Sequence, residues 1–130
     1  MINKLATEVH QNAKDKGFFD DEKNIGEMLC LIHSEVSEAL EADRKDRYSQ
    51  ADSIKLGGLA DKNYGITYHD DKIFQRAFSE SVKDTFEDEL ADVMIRVMDL
   101  AAFKGINLEK HIKAKMRYNS LREHKHGKKY

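Results

Sequence analysis

Four carboxylates stand out by type and spacing. Glu35 and Glu38 lie three residues apart in the segment Asn24–Arg44, where Ile25, Met28, Leu29, Ile32, Val36, Ala39 and Leu40 recur at a helical period. Glu89 and Asp92 repeat the arrangement in Lys83–Lys104, whose stripe is Phe86, Leu90, Val93, Met94, Val97, Leu100 and Ala101. Residues three apart are neighbours on a helix surface, so each pair sits on the flank of an apolar stripe. Two carboxylates one turn apart at the edge of a core repel each other. A divalent cation held by their oxygens relieves that repulsion. If the two stripes pack together, all four acids can converge. The alternative is two solvated flanks balanced by Lys and Arg, but the same faces carry no matching set of cations; Arg96 stands one turn beyond Asp92.

The elements that would hold these groups are helices. The chain has no proline and is rich in Ala, Glu, Lys, Leu and Met, which favours an all-α fold. The expectation is a single helical domain over residues 1–130, a bundle of about four main helices. Ile2, Leu5, Ala6, Val9 and Ala13 pattern a first helix over about Ile2–Lys16, closed by Gly17. The second helix starts at the N-cap residue Asn24 and runs to about Asp46. An irregular insertion over about 48–84 follows, punctuated by Gly57, Gly58 and Gly65, with a weak strand signal at Gly65–His69 and a short helix near Lys72–Val82. Gly105 closes the Lys83–Lys104 helix, and a last helix runs from about Asn107 to His124. A flexible basic tail occupies about 124–130.

Other residues have chemistry in reach. On the last helix, Leu108 and Ile112 open an inward face that continues as Lys115, Asn119 and Arg122. Lys and Arg there suit phosphate oxygens, Arg by a two-pronged contact; a terminal helix reaching water would look the same. His10 lies near the apolar face of the first helix, where a structural histidine is the ordinary reading. Phe18 and Phe19 either plug the end of a bundle or form one wall of a pocket for a flat ring. His124 and His126 are a weak metal signal.

Composition narrows the function class. A net charge of −2 with 35% charged residues lacks the basic excess of a dedicated nucleic-acid binder. The lone cysteine, Cys30, cannot form an internal disulfide, and a cytoplasmic location is the simple inference. No apolar run approaches the roughly 20 residues that span a bilayer, and the segment MINKLATEVHQNAKDK is too polar for a signal peptide. Ile95, Met98 and Ala102 form a further apolar face on the fourth helical segment. A homo-oligomer, dimer or tetramer, with the site at or near a helical interface, is expected.

The ordered set Glu35-Val-Ser-Glu38, Glu89-Leu-Ala-Asp92 and Lys115-Met-Arg-Tyr-Asn119-Ser-Leu-Arg122 resembles the MazG-like, all-α nucleoside triphosphate pyrophosphohydrolases. The likeness covers most of residues 1–124 outside the middle segment. It implies that Glu35, Glu38, Glu89 and Asp92 bind magnesium, and that Lys115, Asn119 and Arg122 contact the triphosphate. The implied reaction is cleavage between the α and β phosphates, giving a monophosphate and pyrophosphate. Glu38 is the acid expected to orient or deprotonate the attacking water. In the dCTP pyrophosphatase branch, a histidine on the first helix and an aromatic residue nine positions later help hold the base; His10 and Phe19 have that spacing. Ser34 stands where the family motif has a further glutamate, the Glu38–Glu89 gap is longer than is common, and Arg96 replaces a tyrosine of some relatives. The last two bear on which nucleotide is used.

Two rival readings differ in class. A carboxylate-bridged di-iron bundle would need Glu-x-x-His on two helices, which this sequence lacks. A non-catalytic helical adaptor or nucleotide sensor would keep the acids for metal-linked stability, and magnesium-dependent pyrophosphate release separates it from an enzyme.

Overall fold

The helix signals are local, and a computed structural model, which describes residues 1–49 and 71–130, places a helix at each of them. Among the described residues there are five α-helices and no strand: α1 Ile2–Asp15, α2 Ile25–Arg44, α3 Asp71–Ser81, α4 Phe86–Phe103 and α5 Leu108–Ser120. The all-α expectation therefore holds for these residues. Of the expected insertion, 71–81 is helical as α3, while the weak strand at Gly65–His69 lies outside the described residues. No described helix is long and apolar enough to cross a membrane.

Helix ends explain themselves from sequence. Gly17, with φ +83°, follows α1, and the amides of Gly17 and Phe18 return to the carbonyls of Lys14 and Ala13. Gly105, with φ +66°, does the same after α4, where Gly105 and Ile106 bond back to Ala102 and Ala101. Both are the paired closure that satisfies the last carbonyls of a helix. After α2 the left-handed position is taken by Asp46, φ +53°, with Arg47 bonding back to Ala42. A short polar side chain tolerates that conformation where most residues do not. Asn24 caps α2 by accepting from the Glu27 amide at 3.1 Å, and Asn107 caps α5 by accepting from Lys110 at 3.0 Å. The last helix is shorter than its pattern suggested. It stops at Ser120, where the amides of Leu121 and Arg122 take tightened bonds to Tyr118 and Asn119. A turn follows at His124–Gly127, with Lys125 and His126 in left-handed backbone at φ +51° and +54°.

The chain divides into two compact units, residues 1–28 with 95–130, and residues 29–94. In the first, α1 packs against α5. The Met1 ammonium meets Glu109 at 2.9 Å, Asn3 donates to Asn107 at 2.7 Å, and the Glu109 amide donates to Asn3 at 3.2 Å. Ala6, Met98 and Ala101 are its buried apolar residues. Met98 was expected on an exposed apolar face and is instead buried, while Ile95, about one turn before it, is exposed.

In the second unit the buried positions of α2 are Glu35, Ala39 and Ala42, and those around the start of α4 are Val82, Thr85 and Glu89. These acids were expected on the flank of the apolar stripe. They occupy the buried line itself, and Val36, Leu40, Leu90 and Met94, each one residue or so around the helix, are 45–50% exposed. The segment before α4 is tied down by its backbone: the Phe86 amide donates to Arg47 at 2.9 Å, the Ser49 amide to Glu87 at 2.8 Å, and the Tyr48 and Phe86 rings lie 5.4 Å apart.

Ala42 is fully buried, so Ala42→Leu should overpack its surroundings and cost about 1–3 kcal/mol. Urea denaturation of the two proteins at one pH measures this; an unchanged midpoint would contradict the assigned packing.

Candidate metal centre

Glu35 and Glu38 sit on adjacent columns of α2, and Glu89 in the first turn of α4. The turn before Glu89 is built with care. Thr85 offers its hydroxyl oxygen to the Asp88 amide at 3.4 Å and donates to the Val82 carbonyl at 2.6 Å. Asp88 accepts from the Asp84 amide at 2.9 Å. Glu87, Asp88 and Glu89 all fall in this first turn, where the exposed amides of a helix start favour negative charge.

The result is a cluster of three. Ligand oxygens of Glu35, Glu38 and Glu89 all lie within 4.8 Å of one another. Glu35 and Glu89 are each only 6% exposed, while Glu38 faces solvent. Burial first, then the charge of Glu38 and a hydrogen bond with it, push the Glu89 carboxyl up to about 7; Asp88 and Asp92 add to the shift. Asp92 thus stands close enough to be felt at Glu89, though it is not one of the three that converge. Asp84, Asp88 and Glu89 form a second acidic group, in which Asp88 serves as a cap for the helix start.

The donor set suits a hard divalent cation. All three donors are carboxylate oxygens, and among the described residues no histidine or cysteine joins them. Magnesium bonds oxygen at about 2.1 Å and calcium at about 2.3–2.6 Å, so opposed ligands stand roughly 4–5 Å apart. The observed spacing needs at most small rotations of flexible side chains. The neutral form of Glu89 at low pH is the protein's own way of lowering the repulsion; a cation is the other.

His10 and Phe19 are brought together elsewhere, in the first unit. The His10 ring meets Phe19 edge-on at 4.6 Å, and Phe19 lies 5.2 Å from Phe103. His10 Nδ1 stands 2.7 Å from an Asp99 carboxylate oxygen. A carboxylate oxygen accepts, so Nδ1 is the donor in this pair. Asp99 and Phe103 were not anticipated. They lie one turn apart on α4, so a helical wheel would have paired them, but nothing local connects them to His10.

Lys115, Asn119 and Arg122 also lie in the first unit. The Lys115 ammonium is 4.9 Å from the Tyr118 ring centre and the Arg122 guanidinium 5.6 Å from it. Asn119 has a buried carboxamide oxygen with no hydrogen-bond partner. Tyr118 was the unrecognised member of this group.

A carboxyl whose folded pKa lies above its unfolded value costs nothing while both states are protonated and destabilises once both are ionised. For Glu89 the metal-free protein should therefore lose stability as pH rises from about 4.5 to about 7, by roughly 3 kcal/mol at about 1.36 kcal/mol per pH unit. Urea denaturation in chelator across that range, compared with Glu89→Gln, isolates this component. The stability difference between the two should grow with pH and then level; a constant difference would contradict the assigned environment of Glu89.

Compared with protein-family models, curated proteins and solved structures, the chain matches none.

Proposed function

We propose that this chain is a magnesium-dependent nucleoside triphosphate pyrophosphohydrolase that converts a (d)NTP to the (d)NMP and pyrophosphate. The observation that carries the reading is the convergence of Glu35 and Glu38 with Glu89, two of them buried, from helices far apart in sequence. Convergent acids speak for a cation and not by themselves for catalysis. The step to hydrolysis rests on the order of Glu-x-x-Glu, Glu-x-x-Asp and Lys115–Asn119–Arg122, and on its likeness to the MazG-like enzymes.

The residues divide the work by their environments. Glu35, Glu38 and Glu89 would hold the cation, with Asp92 as the fourth acid. A divalent cation there would supply charge compensation for the triphosphate and Lewis-acid activation of water. Glu38 is the acid open to solvent and is the one to orient that water and take its proton. Lys115 and Arg122 bind phosphate oxygens and stabilise the charge on the departing pyrophosphate, with Asn119 beside them. Phe19 offers a ring face to a nucleobase, and His10 offers Nε2 to a donor on its edge while Asp99 fixes the tautomer. Water is the nucleophile, so no protein nucleophile is needed; exposed Cys30 has no part in this scheme. A free surface thiol suits the reducing cytoplasm.

A homodimer or homotetramer fits the surface. Leu29, Val36 and Leu40 line one face of α2, and Leu90 and Met94 one face of α4, all 45–50% exposed. Burying the remaining half of five such side chains would contribute on the order of 5 kcal/mol.

Purified protein with magnesium should release pyrophosphate from at least one canonical or modified nucleoside triphosphate; release from none would overturn the reading in favour of a non-catalytic binder. Glu38→Gln and Asp92→Asn should each lower turnover ~100-fold or more with helix content unchanged by circular dichroism; retained turnover would remove that residue from the scheme. Light scattering should give a dimeric or tetrameric mass for the wild type and a smaller one for the Val36→Glu/Leu40→Glu variant; a monomeric wild type would contradict the oligomer.

A further inference from the structure

We propose that Tyr118 is a positioning residue whose ring holds both the Lys115 ammonium and the Arg122 guanidinium as one receptor for a polyphosphate chain. This rests on the reading of Lys115 and Arg122 as phosphate contacts and adds the group that arranges them. Two like charges avoid each other, and long side chains lose much rotamer freedom when fixed. The negative face of an aromatic ring attracts cations within about 6 Å. Both cations meet that condition against the same ring, at 4.9 Å and 5.6 Å. Among the described residues neither is paired with a carboxylate, so their charge is not spent within the protein.

The local backbone explains why a ring is needed. Lys115 lies one turn before Tyr118 on α5, but α5 ends at Ser120, so Arg122 has no helix to orient it. Its guanidinium is steadied on one side by the ring and by donation to the His126 carbonyl at 3.3 Å. From Lys110 to Tyr130 the chain carries eight Lys or Arg residues against a single carboxylate, Glu123. That field draws in a polyanion without choosing a geometry. The Tyr118 ring supplies the geometry, and its face rather than its hydroxyl does so.

The test is calorimetric binding of inorganic tripolyphosphate, a probe without base or sugar, to the full chain at fixed ionic strength. Tyr118→Leu should weaken binding about three- to tenfold and Tyr118→Phe should stay within about twofold of wild type, with thermal midpoints unchanged. In turnover with the best nucleotide, Tyr118→Leu should raise KM while kcat stays nearly constant. Equal affinity of Tyr118→Leu and wild type, or an equal loss in both Tyr118 variants, overturns the proposal. Lys115→Ala separates the two levels. If it weakens tripolyphosphate binding while Tyr118→Leu does not, Tyr118 has no positioning role and the phosphate reading stands. If wild type binds no tripolyphosphate, or Lys115→Ala leaves binding intact, the phosphate reading of Lys115 falls and the Tyr118 proposal with it.

Discussion

Mutual repulsion among carboxylates in a partly buried place is the constraint on which the second unit depends. Moving an ionised carboxylate out of water costs several kcal/mol unless something compensates, and Glu35 and Glu89 are both buried with Glu38 at hand. The structure supplies partial remedies. The first turn of α4 places Glu89 at the amide end of a helix. Glu89 takes a proton up to about pH 7. Glu38 keeps its face to water. An all-oxygen cluster of this size is one that a hard divalent cation would complete.

That constraint reorders the surface of both helices. Because acids and alanines occupy the buried line, the larger apolar residues beside them are turned outward. Val36 and Leu40 follow Glu35 and Ala39 by one residue, and Leu90 follows Glu89 in the same way. These outward faces are the ones the proposed oligomer would cover, and the inward acids the ones the proposed cation would bridge.

The sequence made some features legible and concealed others, for physical reasons. Helix ends set by one residue were readable: Gly17, Gly105, Asn24 and Asn107 each act within a turn of themselves. Asp46 in a left-handed position and Thr85 as a helix start were less so, since neither residue type is committed to that use. The Glu35/Glu38 and Glu89/Asp92 pairs were visible from three-residue spacing, and so was their membership of two separate helices. Periodicity placed Glu35 and Glu89 on the flank, however, because it weighs side chains by hydropathy and assigns acids to the edge of a stripe; both are buried, while Glu38 is exposed. The meeting of His10 with Asp99 and Phe103 depends on contacts across about ninety positions, beyond any local pattern. Tyr118 was visible in the motif but lacked a role until its ring was seen against Lys115 and Arg122.

The central claim is that Glu35, Glu38 and Glu89 form one divalent-cation site. Calorimetric titration of magnesium into the metal-free full chain, in wild type and in the Glu35→Gln and Glu89→Gln variants, addresses it without reference to any substrate. The account predicts saturable binding in the wild type that both substitutions greatly weaken. Absence of binding, or the same affinity in all three proteins, would contradict it.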